Sequence, residues 1–356
     1  MTTLSRLWGI VPAGGAGTRL WPLSRAGSPK FLQDLTGSGR SLLQATADRL
    51  SPLVGEQLIV VTGAAHAPAV RRQLPEVARI LAEPTPRDSM AAIAWAAATV
   101  ERIAPDGIVG SFAADHVIGD VDGFSACITE AVEVAETGLV VTIGITPTGP
   151  ATGFGYIEAG DPLPGFETAR AVTAFVEKPD AARAASYVAS GDHSWNAGMF
   201  VCRASVLLDL LAENHPELAA QARALAAEPD RLFELWEDME RIAIDHAVAE
   251  PAAAAGRVAM VPARFDWEDI GDFDFLGGLL PRRDGVAVLG SDKGVVVEDG
   301  SGLVVHGTDR VIAVLGLHDV VVVDTPDALL VTTGDHAQQV KAVVDRLRAE
   351  GLTEVL

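Results

Sequence analysis

Cysteine, tyrosine and lysine are scarce in this chain, long apolar runs are missing, and each shortage closes off a class of protein. The 356 residues include only two cysteines and two tyrosines. Cys127 and Cys202 lie in apolar periodic segments without C-x-x-C spacing. That predicts reduced, buried thiols and neither a disulfide nor a zinc site. No apolar stretch approaches the roughly 18 residues of a membrane span, and no basic region leads into an apolar core at the N-terminus. The expectation is a soluble, cytoplasmic enzyme with no membrane partner. Positive charge is also short: 27 Lys and Arg stand against 48 Asp and Glu, a formal charge of −21. Nucleic acid is excluded as a partner, because its phosphate backbone needs a basic surface. Only Lys30, Lys178, Lys293 and Lys341 are lysines, while arginine is plentiful. Lys30 and Lys178 therefore ask for a specific explanation.

What is present fits a globular α/β protein. Hydrophobic residues make up 49% and charged residues 21%, which argues against disorder or a fibre. The length suits one large domain and a smaller appendage. Residues 7–13, 57–62, 108–113 and 139–145 read as Val- and Ile-rich strands separated by helical patterns, the clearest at 89–103, with Ser89 as cap. Such alternation predicts a Rossmann-like, mostly parallel sheet with helices on both faces. Beyond residue 150 a looser stretch has a loop at 152–156, strands near 171–176 and 195–202, and helices over 204–226 and 230–240. From about residue 284, short β runs recur at roughly ten-residue spacing before a terminal helix at 337–349. The expected division is a catalytic domain over 1–282, its substrate side over 151–282, and a small β-rich, β-helix-like domain over 283–356 that forms a homodimer.

The first strand feeds Gly14-Gly15-Ala16-Gly17-Thr18-Arg19. A turn with so few Cβ atoms lets backbone N–H groups, from Ala13 onward, approach anionic oxygens. Leu20 breaks the G-x-G-x-x-G dinucleotide pattern, and no G-K-[ST] follows to make a Walker loop. Arg19, Arg25 and Lys30 nevertheless crowd the turn with cations in an acidic protein, which favours phosphate binding. Asp115 falls just past the strand at 108–113, at the sheet edge where α/β folds place ligands. Alone, Asp115 or Asp269 reads first as a turn or cap residue. Together, beside a basic loop, they suit a hard cation such as Mg²⁺, which takes one or two protein carboxylates plus phosphate oxygens, and part of the weight of that reading comes from the resemblance that the following segments carry.

The run G-G-A-G-T-R-L-W-P-L-S-R with S-P-K-F-L resembles the signature of the sugar nucleotide pyrophosphorylases, and its Trp21 to Arg25 portion resembles the mannose-1-phosphate guanylyltransferase branch. Further matching segments follow in the same order. They are Glu83-Pro84 with Arg87-Asp88, Ala114-Asp115-His116, Thr152 to Glu158, Phe175 to Pro179, Trp195 to Phe200, Ile244-Asp245, Trp267 to Gly271, and Val323 to Ala328. The resemblance implies a nucleotide-diphospho-sugar transferase fold and transfer of GMP from GTP to mannose 1-phosphate, giving GDP-mannose and pyrophosphate with Mg²⁺ as cofactor. It implies catalytic roles for Arg19, Lys30 and Asp115, and metal ligation by Asp115 and Asp269. The nucleotide side would include Ala13, Gly14, Gly15, Gly17, Thr18, Glu83, Arg87 and Asp88. The sugar-phosphate side would include Gly153, Tyr156, Glu177, Lys178, Asn196 and Gly198.

Several residues keep two readings. Tyr156 and Trp267 either wall the sugar or belong to the core. Asn196 can donate and accept toward a hydroxyl pair. Asp88 stands where the family usually carries Asn, and it reads first as a cap of the following helix and second as an acceptor for the guanine edge. His116 is given a supporting role. A sister enzyme using UTP or dTTP with glucose 1-phosphate shares the cradle, and a non-catalytic regulatory homologue would be expected to lose Lys30 or an aspartate. A fusion with a sugar-phosphate isomerase needs more length after residue 280.

Overall fold

The computed structural model describes residues 3–15 and 17–356, so Ala16 of the glycine run lies outside the described residues. Packing divides the chain into two compact units that interleave along the sequence. The first holds Met1–Gly14, Ala47–Ala114 and Ile118–Trp267; the second holds Gly15–Thr46, Asp115–Val117 and Glu268–Leu356.

The first unit is built on a sheet of nine strands among the described residues. From one edge the order is Arg79–Glu83, Leu58–Gly63, Leu7–Ala13, Ile108–Ser111, His193–Arg203, Val140–Ile145, Val258–Pro262, Arg170–Val176 and Tyr156–Pro162. The first four are mutually parallel. His193–Arg203 then enters antiparallel to both of its main neighbours. Strands such as Val140–Ile145 and Ile108–Ser111 are buried along their whole length, which is why they read as unbroken apolar runs instead of alternating ones. The helix expected near Ser89 spans Asp88–Ile103, and its alanine-rich body is almost wholly buried, since small side chains let it sit tight against the sheet. The helix expected over 204–226 is two, Ala204–Asn214 and Pro216–Ala227, because Pro216 lacks the N–H needed to continue the first. The one expected over 230–240 is shorter, Leu232–Glu237, and the loop expected at 152–156 ends where the strand Tyr156–Pro162 begins.

The second unit contains a small β-helix-like stack. Val286–Gly290, Gly302–His306 and Val320–Asp324 pair in parallel, so Val288, Val304 and Val322 stand in register. Val295–Glu298 and Ile312–Leu315 form a separate parallel pair. One face of the stack contributes Val286, Val304, Val314 and Val320 to an apolar cluster. The other face contributes Leu303, Val305, Val321 and Val323 to a larger core, which also takes Leu20, Trp21, Leu35, Phe273 and Val340. The signature loop is therefore folded onto the C-terminal segment. Cys127 and Cys202 are both free and buried, as expected, and burial pushes each thiol up to about 12.

Candidate functional site

In the second unit the signature loop closes into one tight turn. Thr18–Leu20 is a single 3₁₀ turn, with Leu20 N–H donating to Gly17 O at 2.9 Å. Gly17 has φ +54, and a Cβ there would lie 2.7 Å from Ser24 Oγ and 3.2 Å from Lys30 Cβ. Glycine is therefore required on both counts, conformation and space. Gly15 and Arg19 are exposed. Where the first unit ends, Ala13 is buried and its carbonyl accepts from Thr62 Oγ1 at 2.7 Å, while Gly14 is exposed.

Lys30 begins the short 3₁₀ turn Lys30–Leu32, which directs its side chain between two carboxylates. Nζ lies 2.9 Å from Asp115 Oδ2 and 3.0 Å from Asp269 Oδ1, and it donates to Ile270 O at 3.1 Å. Desolvation works against the ammonium, but the two carboxylates hold its pKa above the ordinary lysine value. Asp115 is desolvated as well, yet Lys30, His116 and hydrogen bonds keep it below the usual range. His116 is buried beside it, which fits the supporting role expected for it.

In the first unit the residues expected on the sugar side form a second cluster. The Glu177 side chain is only 8% exposed, with Oε1 2.6 Å from Lys178 Nζ. Lys178 has φ +44, unusual for a residue with a Cβ. A Cβ on Gly155 would stand 2.6 Å from Glu177 Oε2, so this glycine makes the room Glu177 occupies. Asn196 Oδ1 accepts from Thr142 Oγ1 at 2.8 Å and from Gly198 N–H at 3.1 Å, and Nδ2 donates to Asp245 Oδ1 at 2.8 Å. Both lone pairs of its carbonyl are thereby engaged, and one amide hydrogen remains. The two-way hydroxyl contact expected of Asn196 is reduced to a single donor, because a buried amide takes internal partners. Of the two readings of Tyr156, the structure favours the core. Tyr156 is fully buried and its hydroxyl donates to Ala151 O at 2.9 Å, so it belongs to the core and is no sugar wall. Gly153 is exposed in the adjoining loop, and Phe154 of that loop packs 5.1 Å from Trp195 and 5.3 Å from Trp267.

Glu83, Arg87 and Asp88 follow at the end of strand Arg79–Glu83. Burial pushes the Glu83 carboxyl up to about 7. Its Oε1 and Arg87 Nε are buried without a hydrogen-bond partner among the described residues. Arg87 also donates through Nη2 to Glu237 O. The cap reading of Asp88 is corrected: Arg87 holds the N-cap position, and Asp88 is the first residue of the helix, with φ +66, its Oδ1 accepting from the adjacent Ser89 N–H. Ser89 does not cap its own helix either, since its Oγ accepts from Ile244 N–H.

A Nucleotidyl transferase family model matches residues 8–277, and a MannoseP isomerase/GMP-like beta-helix domain model matches residues 293–347. The chain belongs to the nucleotidyl transferase family. Relatives of this nucleotidyl transferase include the Xanthan biosynthesis protein XanB of Xanthomonas campestris pv. campestris, 38% identical over 97% of this chain and 74% of that protein. The mannose-1-phosphate guanylyltransferase of Escherichia coli strain K12 is 36% identical over 98% of this chain and 75% of its own length. A crystal structure described as mannose-1-phosphate geranyltransferase from Thermus thermophilus superposes with a TM-score of 0.86, at 32% identity, covering 96% of this chain and 99% of that one.

Three participants in this nucleotidyl transferase are not singled out as site residues by the sequence. Thr142 carries no motif of its own, and Phe154 lies in the matching segment Thr152 to Glu158 but is given no role there. Asp245 does stand in a matching segment, and the structure gives it a physical role. Desolvation and the neighbouring Glu177 push its carboxyl from 3.8 up to about 6. The folded state therefore holds this proton more tightly than the unfolded chain. Its contribution is present below 3.8 and is lost as pH rises through about 6. Asp245→Asn is accordingly expected to stabilise the protein by about 1–2 kcal/mol above pH 6, and by little at pH 4. Urea midpoints at pH 8 and pH 4 check this; an equal gain at both would refute it.

Proposed function

We propose that this chain transfers GMP from GTP to mannose 1-phosphate, releasing pyrophosphate and forming GDP-mannose. The observation that carries the proposal is Lys30, held between Asp115 and Asp269 at the root of a glycine loop that also bears Arg19. A sugar phosphate is already anionic at neutral pH, so no general base is demanded. One of its oxygens attacks the α-phosphorus, the bond from that phosphorus to the β-phosphate bridging oxygen breaks, and pyrophosphate leaves with the electron pair. The protein must align these groups and offset their charge. Lys30 and Arg19 donate to triphosphate oxygens, and the backbone of Gly14, Gly15 and Gly17 with Thr18 cradles them. Glu83, with Arg87 and Asp88, serves the nucleotide. Glu177, Lys178, Asn196, Gly153 and Gly198 serve the sugar phosphate, and Trp195 adds an indole N–H that is buried without a partner among the described residues.

The residues present fit Mg²⁺. Asp115 and Asp269 offer oxygen alone, and no group of three or more His, Cys, Asp or Glu suited to a metal occurs among the described residues. A two-carboxylate set leaves the remaining positions to water and phosphate oxygens, which is the usual habit of this ion. Bound there, Mg²⁺ supplies charge neutralisation and orientation of phosphate oxygens.

The test is direct: mannose 1-phosphate or glucose 1-phosphate, each nucleoside triphosphate and Mg²⁺, with pyrophosphate as the readout. GTP with mannose 1-phosphate is expected to give the highest rate, and no release with that pair overturns the substrate reading. The same reading takes the protein as cytoplasmic and assigns nucleotidyl transfer to residues 1–282 and dimerisation to 283–356. Exposed Val311, Leu315 and Leu317 support the latter. A light-scattering mass equal to one 37.1 kDa chain would sink it.

A further inference from the structure

The segment 269–272 serves two cations with successive residues. Asp269 and the Ile270 carbonyl hold Lys30. The Arg19 guanidinium lies against Gly271, where a Cβ would stand 3.8 Å from Nη2. Asp272, 1% exposed, divides its carboxylate. Oδ1 accepts from Asp274 N–H at 2.9 Å and Phe275 N–H at 3.2 Å, starting the helix Phe273–Leu279. Oδ2 accepts from Gln338 Nε2, and Gln338 Oε1 in turn accepts from Arg19 Nη1 at 2.9 Å.

A guanidinium only donates and a carboxylate only accepts, so one orientation of the Gln338 amide satisfies both partners. The buried Asp272 thus fixes which way Gln338 faces, and Gln338 fixes where Arg19 rests. From this we infer that Gln338, contributed by the C-terminal turn Gly334–Gln339, is a positioning residue that holds Arg19 in place for the phosphates. The inference rests on the reading of Arg19 as a phosphate-binding cation.

Two neighbouring loop residues are tied to the C-terminal segment in the same way. Arg25 meets Asp327 with both guanidinium ends, at 2.5 and 2.6 Å, and Thr325 Oγ1 at 3.2 Å. Trp21 Nε1 donates to Val355 O at 2.6 Å. These ties anchor the loop backbone, whereas Gln338 orients the functional side chain itself. A guanidinium has five N–H donors, so one bond to Gln338 leaves four for phosphate oxygens. The rotamer freedom of a long side chain is then spent before substrate arrives, which lowers the cost of reaching the transition state.

Gln338→Met keeps the volume and removes both hydrogen bonds. It is expected to lower kcat for pyrophosphate release about five- to tenfold with KM for the sugar phosphate nearly unchanged, and to lower the melting temperature because the buried Asp272 loses a donor. Gln338→Glu faces Asp272 with a like charge and pairs too firmly with Arg19, so KM for the nucleotide is expected to rise. Arg19→Ala tests the underlying reading on its own and is expected to cost roughly 100-fold. In that background Gln338→Met should add nothing. Full activity of Arg19→Ala overturns the phosphate role of Arg19 and the inference with it. An impaired Arg19→Ala beside a fully active Gln338→Met overturns the inference alone. So does a Gln338→Met loss of equal size in both backgrounds, since that is what a purely structural residue gives.

Discussion

Replacing Lys30 with alanine is expected to reduce nucleotidyl transfer by about 100-fold or more, measured as pyrophosphate release. The ammonium is the one group that touches both Asp115 and Asp269 among the described residues. Lys30→Arg should not restore the rate, because a planar fork cannot take the position of a compact point charge held by two carboxylates and a carbonyl. Stability should change too. The side chains of Lys30, Asp115 and Asp269 are only 13%, 21% and 31% exposed, so deleting the cation leaves two poorly hydrated carboxylates uncompensated. The melting temperature of Lys30→Ala is therefore expected to fall, and added Mg²⁺ should recover it by more than it stabilises the unaltered protein. A variant that melts lower without any recovery by Mg²⁺ would count against these carboxylates as the metal ligands. Near-normal turnover in a folded Lys30→Ala would remove the lysine from the mechanism.

The second large effect is expected in the apolar core of the first unit. Trp236 is almost completely buried, lies 5.6 Å from Trp95 between ring centroids, and donates from Nε1 to Thr85 O at 2.8 Å. Trp236→Ala should cost about 3–5 kcal/mol, read as a drop in the urea midpoint. The damage should also reach function. Thr85 sits between Glu83 and Arg87, and Arg87 is itself tied to Glu237 next to the tryptophan. KM for the nucleotide is therefore expected to rise in protein that is still folded. Trp236→Phe should recover much of the stability but not the hydrogen bond to Thr85. If its nucleotide KM is normal, the bond is dispensable and only the packing matters.

The parts of the fold legible in the sequence are those decided by local pattern. Buried strands at 7–13 and 139–145 show as apolar runs, and the β-helix rungs show as valine repeats bounded by turn residues. The break at Pro216 is equally local but is masked within a long apolar period. Legibility in the site follows a similar division. Lys30 stands out because lysine is rare here, and Asp115 because it follows a strand end. Asp269 is reached chiefly through resemblance. Gln338 and Asp272 give no signal, since a glutamine in a surface turn and a capping aspartate are ordinary residues until the fold brings residues 19, 272 and 338 together. Tyr156 and Asn196 read more than one way in the sequence for the opposite reason. Both look like ligand groups, and burial gives their polar atoms internal partners.

The interleaving of the two packed units also bears on how the chain acquires activity as it is made. Leu20, Trp21 and Leu35 emerge early, but residues they pack against, such as Leu303, Val321 and Val340, are synthesised much later. A ribosome that has finished only the first two thirds of the chain carries a signature loop with no apolar surface to settle on. Arg19 at that stage has no Gln338, and Lys30 has Asp115 but no Asp269. The glycine loop is thus a late-maturing element, since its packing is complete only after the segment around Leu303 to Val340 has been made.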